Sequence, residues 1–572
     1  MENQLGFRNL IDLFNTSLTQ VQPPNKVCLE IIRQDRREEL TFEQLNKRAR
    51  NFASWLIQSA GIDIQDKVAI LSKNRADWDV ALWGTILAGA VPVLIDPERG
   101  VEGVISHLCH TDSRLLVMAD DYHESSCRRE LSEFTTNRGL GLVIMTDRPL
   151  AAESETDTRD LDILCPKINL DDTAVILCTS GTTGDPREVE LTHRNLIANI
   201  QGSVEKVHLT DKDILAHILP PHHSFGLTVG KILPLSVGAT NIYTNKYRDV
   251  PDLIRDKHAT LFIAIPALFA AMAKRIEELL NKQKQHNISL RLLDRFLPRL
   301  VGKMAVRKNG WNSLRFCLSG AAAMPKWVLD VFWRRGLLLY EGYGTTENSP
   351  VYGFNENLHT LGSVGKPIST ITVKIVDQEG KTLPPRQKGE ILLGGPCIMK
   401  GYYKNPQSTA AVVETDNNGV RWLHTGDLGF LDEKGNLYIT GRKKYIIVLP
   451  GGKNVNPELV ELVLSQANYV KEVLVVPGVE TDPAGIRQEC VSAIVQPAMD
   501  VIQNRTNLSH SDLVNKPQLL KNLIWQNLNE CQKKSRQLAH FERVSPAHLE
   551  IRIEEFQKTS TGKIKREFYI RI

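Results

Sequence analysis

The stretch TSGTTGDPREVELTH (179–193) sets glycines and hydroxyls directly behind the apolar run AVILC (174–178). A strand that opens into such a loop can hold phosphate. Gly181 and Gly184 let the backbone come close to an anion, and N–H groups can donate to its oxygens alongside the hydroxyls of Thr179, Ser180, Thr182 and Thr183. A plain polar turn has the same composition, so the loop alone leaves both readings open. It also lacks the Gly-Lys-Ser/Thr ending of a P-loop: its first basic residue is Arg187, followed by Glu188.

Four more stretches bear on the choice. EGYGTTENSP (341–350) places Thr345, Thr346 and the carboxylate of Glu347 behind a tight turn at Gly344. Such oxygens suit a phosphate and its magnesium ion, which often shares oxygen ligands with phosphates; the same residues are also competent helix caps. WLHTGDLG (422–429) offers Asp427 in a turn, where a carboxylate can bind a ribose diol or simply close an Asx-turn. YITGRKK (438–444) carries Arg442 at the end of a hairpin and reads otherwise as a basic linker. FQKTSTGKIKREF (556–568) sets Lys563 behind a glycine, in what is otherwise a solvated basic tail.

Helical and strand patterns alternate through the first two-thirds of the chain and supply the frame for these loops. TFEQLNKRARNFASWLIQ (41–58) has a Thr cap and helical apolar spacing. KVAILS (67–72), AVPVLID (90–96), ATLFIAIP (259–266) and SLRFCLSG (313–320) read as buried strands, and WDVALWGTILAG (78–89) as a helix. Strands followed by helices predict parallel sheets with helices on both faces. From about residue 360 the pattern becomes alternating and turn-rich, which predicts antiparallel β over 371–395 and a hairpin over 429–444. NVNPELVELVLSQ (454–466) predicts a helix with Pro457 at its start, and VKEVLVVPG and CVSAIVQP predict short strands. A boundary at 443/444 leaves a C-terminal piece of the size of a small α+β domain.

The chain has 572 residues, 24% of them charged, and a net charge of +4. That length exceeds one compact core, and the small net charge excludes bulk nucleic-acid binding. Nine cysteines, none in Cys-x-x-Cys spacing, predict free thiols in a reducing compartment. The opening MENQLGFRNLIDLF lacks the basic and apolar regions of a secretory signal, and the uncharged run 80–95 is short and broken by Gly and Pro. The expectation is a cytoplasmic protein.

Taken together and in this order, the stretches resemble the adenylate-forming superfamily of acyl- and aryl-CoA ligases, peptide-synthetase adenylation domains and beetle luciferases. The resemblance covers nearly the whole chain. It implies an α/β fold: a large N-terminal domain (1–443) of two αβαβα lobes plus a distorted β-barrel, which holds ATP and the acyl pocket, and a small mobile α+β lid (444–572). By position it implies that 179–187, through Arg187, holds the β- and γ-phosphates. SGAAAMP (319–325) would form the adenine wall through Gly320, Ala321 and Ala322. Tyr343 would stack on adenine, Thr346 would touch the α-phosphate, and Glu347 would bind magnesium with Thr179 as a weaker second ligand. Asp427 and Arg442 would hold ribose, Lys444 would be the hinge, and Lys563 would bridge the acyl carboxylate and the α-phosphate. PPHHSFGL (220–227) resembles the motif bordering the acyl pocket, with His223 in register and His222 beside it. Where the family usually has Pro-Lys-Gly, this chain has Pro186-Arg187-Glu188. Arginine keeps the charge with a planar fork; Glu188 is expected to add an anion beside the phosphates.

The reaction so implied is activation of a carboxylic acid by ATP and Mg²⁺ to acyl-AMP and pyrophosphate, then transfer to the thiol of coenzyme A. The branch it looks most like is the long-chain fatty acyl-CoA synthetases. Two other readings stay open: an acyl-ACP synthetase or acyl-AMP ligase delivering to carrier-protein phosphopantetheine, and a degenerate member that binds nucleotide without turnover. Over 289–308, Arg291, Arg295, Arg299 and Lys303 recur every four residues among leucines and Phe296. Such a basic amphipathic helix either packs on the core or lies peripherally on the inner membrane face.

Overall fold

A computed structural model describes residues 6–33, 36–122, 124–146, 167–179, 187–285, 287–356, 360, 362–450, 453–481, 487–535, 538–558 and 564–570. The chain forms two units. The first takes most of the chain up to Lys374 together with Leu392–His424; the second takes Ile375–Ile391 and Thr425–Ile572.

Two sheets carry the first unit. In one, the strands Thr173–Thr179, Val91–Ile95, Lys67–Leu71, Leu115–Ala119 and Gly141–Met145 lie side by side and parallel. Arg187–Thr192 returns antiparallel on the first of these, and Gly401–Tyr402 caps that edge. The other sheet has nine strands. Its centre is parallel, in the order Leu339–Tyr343, Phe316–Ser319, Leu261–Ala264, Ile214–His217, Thr240–Thr244 and Val27–Arg33. The apolar runs read as strands are thus strands, and they are buried because helices cover them. The helix Phe42–Gln58 begins where the sequence predicts, with Thr41 and Gln44 closing a capping box.

A buried charge ties the two sheets to one point. Lys231, on the π-helical turn Thr228–Ile232, places its ammonium 2.8 Å from Asp79 Oδ2, and neither side chain reaches solvent. Asp79 belongs to the helix Ala76–Leu87, which follows a strand of the seven-stranded sheet. The same oxygen accepts a 2.6 Å hydrogen bond from Tyr243 Oη, on a strand of the nine-stranded sheet. The ammonium also lies 3.5 Å from the Tyr243 ring centroid. Burial lowers the lysine pKa below its usual range, and the Asp79 charge opposes that.

A second buried cluster anchors the hairpin of Thr173–Thr179 with Arg187–Thr192. Glu188 pairs across the hairpin with Cys178, on the face covered by the helix Val101–His110. Its carboxylate lies 2.7 Å from His107 Nδ1 and 3.0 Å from His110 Nδ1. Glu188 is buried and its carboxylate is turned onto that helix. This corrects the expectation that it adds an anion beside the phosphates. Burial works to raise its pKa, but the His107 hydrogen bond and the fields of both imidazoles outweigh burial and hold it below the usual 4.5.

The second unit pairs Asp427–Leu431 with Leu437–Arg442 in a hairpin. Beyond it, Val470–Thr481 and Arg487–Pro497 form a long antiparallel pair, and Leu549–Ile551 adds parallel to the second. These strands outrun the apolar segments read from sequence, because pairing continues through polar residues such as Glu480↔Gln488. The helices Pro457–Leu464 and Pro517–Lys534 pack Val460, Leu464, Ile524 and Leu528 on this sheet. All eight described cysteines are free.

Lys231→Ala leaves Asp79 buried without its cation and should cost about 3–5 kcal/mol. A thermal midpoint equal to wild type would remove this pair from the interactions that hold the first unit together. Glu188→Ala should cost about 1–3 kcal/mol at neutral pH, since it strands the buried Nδ1 of His107. Because the folded pKa is depressed, the carboxylate's contribution is present above 4.5 and is lost as pH falls through the folded value. The gap between wild type and variant should therefore close on acidification; a pH-independent gap would contradict the clamp.

Candidate active site

Ser180, Gly181, Thr182, Thr183 and Gly184 of the phosphate loop, and Lys563, lie outside the described residues, as does the side chain of Thr179. What frames the loop is described. Thr179 and Arg187 face each other across the hairpin at its open end. The Arg187 guanidinium lies 4.9 Å from the Tyr402 ring centroid, and its Nη1 is 3.4 Å from Tyr402 Oη. Tyr402 Oη in turn donates to Glu347 Oε1 at 3.0 Å. Burial and the Glu347 charge push the phenol well above its usual range, so it stays a donor. Arginine, tyrosine and glutamate thus form one line. Tyr402 belongs to no motif used in reading the sequence, and its place follows only from the strand pairing Gly401–Tyr402 with Val189 and Glu190.

The turn carrying Glu347 is fixed on several sides. Thr345 N donates to Asn348 Oδ1, and Met399 N donates to Glu347 O at 2.8 Å. Asn199, on the helix His193–Val207, donates to the carbonyls of Asn348 and Val351. Gly344 is required: a Cβ there would sit 1.5 Å from Pro350 O. Tyr343 ends its strand with its ring edge-on to Tyr352 at 5.7 Å.

The segment 220–227 meets this turn. Ser224 Oγ and Thr346 Oγ1 are 3.1 Å apart. The Phe225 ring packs where a Cβ on Gly320 would stand, 2.9 Å away. His223 precedes the short helix Ser224–Leu227 and is half-buried. His222 is fully buried, 3.3 Å from Asp96 Oδ1, and burial together with His223 pushes its pKa down to about 3. Gly320, Ala321 and Ala322 follow the strand Phe316–Ser319, and Ala321 takes the left-handed conformation (φ 72°). Such a backbone for alanine costs about 1–2 kcal/mol and is held from below. Glu341 Oε1 accepts from Met324 N at 2.8 Å, and burial raises that carboxyl to about 7. Glu341 heads the motif 341–350, whose marked acid in the sequence is Glu347.

In the second unit, Asp427 and Arg442 are cross-strand neighbours, with Arg442 Nε 2.7 Å from Asp427 Oδ1. Asp427 is buried and its partner half-exposed. Thr425, Gly426, Arg442, Lys443, Lys444 and Tyr445 line a concavity there. Lys443 is held 3.0 Å from Glu390, and the Lys444 ammonium lies 5.8 Å from the Tyr445 ring centroid.

The residues present fit a nucleotide and its magnesium ion. Glu347 offers a hard carboxylate oxygen oriented by a phenol, which suits magnesium. Ser319 Oγ and Asn348 Nδ2 are buried without a partner among the described residues, as expected of groups awaiting a polar ligand.

Comparison with known proteins agrees with this geometry. Residues 18–403 match the family model described as AMP-binding enzyme. The chain is 30% identical over 532 residues to a long-chain-fatty-acid–CoA ligase of Escherichia coli O6:H1, covering 86% of each chain. The ATP-bound MatB from Rhodopseudomonas palustris shares the fold at TM-score 0.74 and 22% identity over 98% of both chains. McyG A-PCP complexed with phenylalanyl-adenylate does so at TM-score 0.75 and 21% identity, over 98% of this chain and 95% of that one. The chain belongs to the AMP-binding enzyme family, the adenylate-forming enzymes whose motifs its sequence carries.

Proposed function

We propose that the protein activates a medium- to long-chain fatty acid with ATP and transfers the acyl group to the thiol of coenzyme A. The observation that carries this is the contact of Ser224 with Thr346, which brings the acyl-pocket motif against the nucleotide motif. Similarity over most of the chain to a long-chain-fatty-acid–CoA ligase supports the choice of acid.

In the first step a carboxylate oxygen bonds to the α-phosphorus and the bond to the β-phosphate oxygen breaks, releasing pyrophosphate. The difficulty is that two anions must meet. Arg187 meets the β- and γ-phosphates with a fork fixed against Tyr402. Tyr402 holds the Glu347 carboxylate for magnesium, with Thr179 as the second ligand. Magnesium, when bound, neutralises charge on the phosphate oxygens. Thr346 and Lys563 address the α-phosphate, where charge develops in the transition state. Gly320, Ala321, Ala322 and Tyr343 enclose adenine, and Asp427 with Arg442 receives ribose. In the second step the thiol attacks the acyl carbonyl and AMP leaves. Residues 444–572 act as a lid that turns about Lys444 between the steps, withdrawing Lys563.

Exchange of labelled pyrophosphate into ATP should depend on added fatty acid, and thioester should then appear with coenzyme A. Exchange with thioester on a carrier protein alone would transfer the reading to an acyl-ACP synthetase. No exchange with any carboxylic acid would make the chain a nucleotide binder without turnover.

Two substitutions should separate the half-reactions. Lys563→Ala should slow adenylation by about 10²–10³-fold and leave transfer from preformed acyl-adenylate intact. Lys444→Ala should leave exchange intact and slow thioester formation by about tenfold or more. Equal loss in both half-reactions for either variant would overturn its role.

A further inference from the structure

We propose that the helical pair Ile288–Phe296 and Pro298–Lys308 is a docking surface for an anionic lipid bilayer. The pair is amphipathic in the reverse sense of a core-packed helix. Its inward side holds ions. Asp294 takes the Lys284 ammonium at 2.8 Å and also contacts Arg335, whose other partner is Glu277 at 2.7 Å. Arg335 and Asp294 are buried or nearly so. Val301 is buried, and Gly302 presses so close that a Cβ would sit 2.0 Å from Arg335 O. The Arg299 guanidinium stacks 4.3 Å from the Trp333 ring centroid. These contacts seat the pair firmly on the helix Lys326–Arg334 and on Pro266–Gln285.

The outward side holds the large apolar side chains. Ile288, Leu292, Phe296, Leu300 and Met304 recur every four residues, with exposures from 47% at Leu300 to 77% at Ile288. Leu297 adds to them at 53%. Beside this stripe runs a basic one of exposed side chains, Arg291, Arg295, Lys303, Arg307 and Lys308, while Arg299 is turned onto Trp333. A stripe of contiguous exposed apolar groups marks an interaction site.

Charge selects the occupant. Six basic residues stand in 288–308 against one acid, Asp294, which is turned inward and paired. A second copy of the same face would bring like charges together. An anionic bilayer offers what both stripes need: acyl chains for the apolar one and headgroup phosphates for the basic one. No helix among the described residues is long and apolar enough to cross a membrane, so the contact is peripheral. The inference does not rest on the identity of the acid. If the acid is fatty, docking places the enzyme where its substrate partitions.

Cosedimentation of the whole protein with vesicles tests this. Wild type should pellet with vesicles of phosphatidylcholine mixed with phosphatidylglycerol at low salt, and at least about tenfold less with phosphatidylcholine alone. Leu292→Glu/Phe296→Glu should abolish pelleting at any salt. Arg291→Glu/Arg295→Glu should weaken it most at low salt. Both pairs are exposed, so far-ultraviolet circular dichroism and pyrophosphate exchange with a water-soluble acid should match wild type; Phe296→Ser serves if a double variant misfolds. Failure of wild type to pellet with anionic vesicles would overturn the proposal. So would pelleting that the apolar substitutions leave unchanged, or a dimer that those substitutions dissociate.

Discussion

A lysine ammonium without water is tolerated only where its counter-charge is rigidly placed, and Lys231 is such a lysine. Its partner Asp79 belongs to the helix beside one sheet, and the phenol that shares the carboxylate belongs to a strand of the other. One desolvated pair therefore refers both sheets to a common point. The consequence runs along the chain. The turn carrying Lys231 continues the short helix Ser224–Leu227, so fixing the lysine fixes Ser224. Ser224 then meets Thr346. A buried structural charge thus bears on whether the segment 220–227 touches the turn 341–350.

The departure Pro-Arg-Glu is coherent as a unit. Glu188 needs a cationic or donor partner and finds two on one helix, the buried His107 and the exposed His110. Their spacing of three residues puts both on the same helical face. With the strand so pinned, the neighbouring Arg187 points the other way, since successive side chains of a strand alternate. It then lies on the Tyr402 ring. A glycine at 188 would leave that strand end freer; here Glu188 pins it, and the Arg187 guanidinium is preorganised on the Tyr402 ring.

The elements were legible where local signals agree. Thr41 with Gln44 announces a helix start, and runs such as Lys67–Leu71 and Val91–Ile95 read as buried strands because both faces are covered. The motifs 319–325 and 341–350 follow the strands Phe316–Ser319 and Leu339–Tyr343, whereas Asp427, read in a turn, lies inside the strand Arg421–Leu431. What was not legible is the set of groups that hold those loops. Tyr402 reaches Glu347 through a two-residue strand pairing across more than two hundred positions of sequence. Glu341 is an ordinary acid until burial makes it exceptional. The direction of the Glu188 carboxylate depends on a helix some eighty residues earlier. The pattern over 289–308 showed amphipathicity but not which side faces inward. That depends on Asp294 finding Lys284 and Arg335.

Three buried carboxylates show how the first unit assigns charge. Asp79 has a lysine and a phenol, and Glu188 has two imidazoles. Glu341 accepts from the backbone N–H of Met324, and burial raises its pKa to about 7. The first two carry a fixed negative charge into the frame, where it locks strands and helices. The third holds Met324, just past Gly320, Ala321 and Ala322, and a pKa of about 7 leaves it only partly ionised near neutrality. In the proposed function that segment faces adenine, and a full anion there would act on the triphosphate through a poorly screened medium. The left-handed backbone at Ala321 thus comes three residues before a hydrogen bond whose acceptor carries only part of a negative charge.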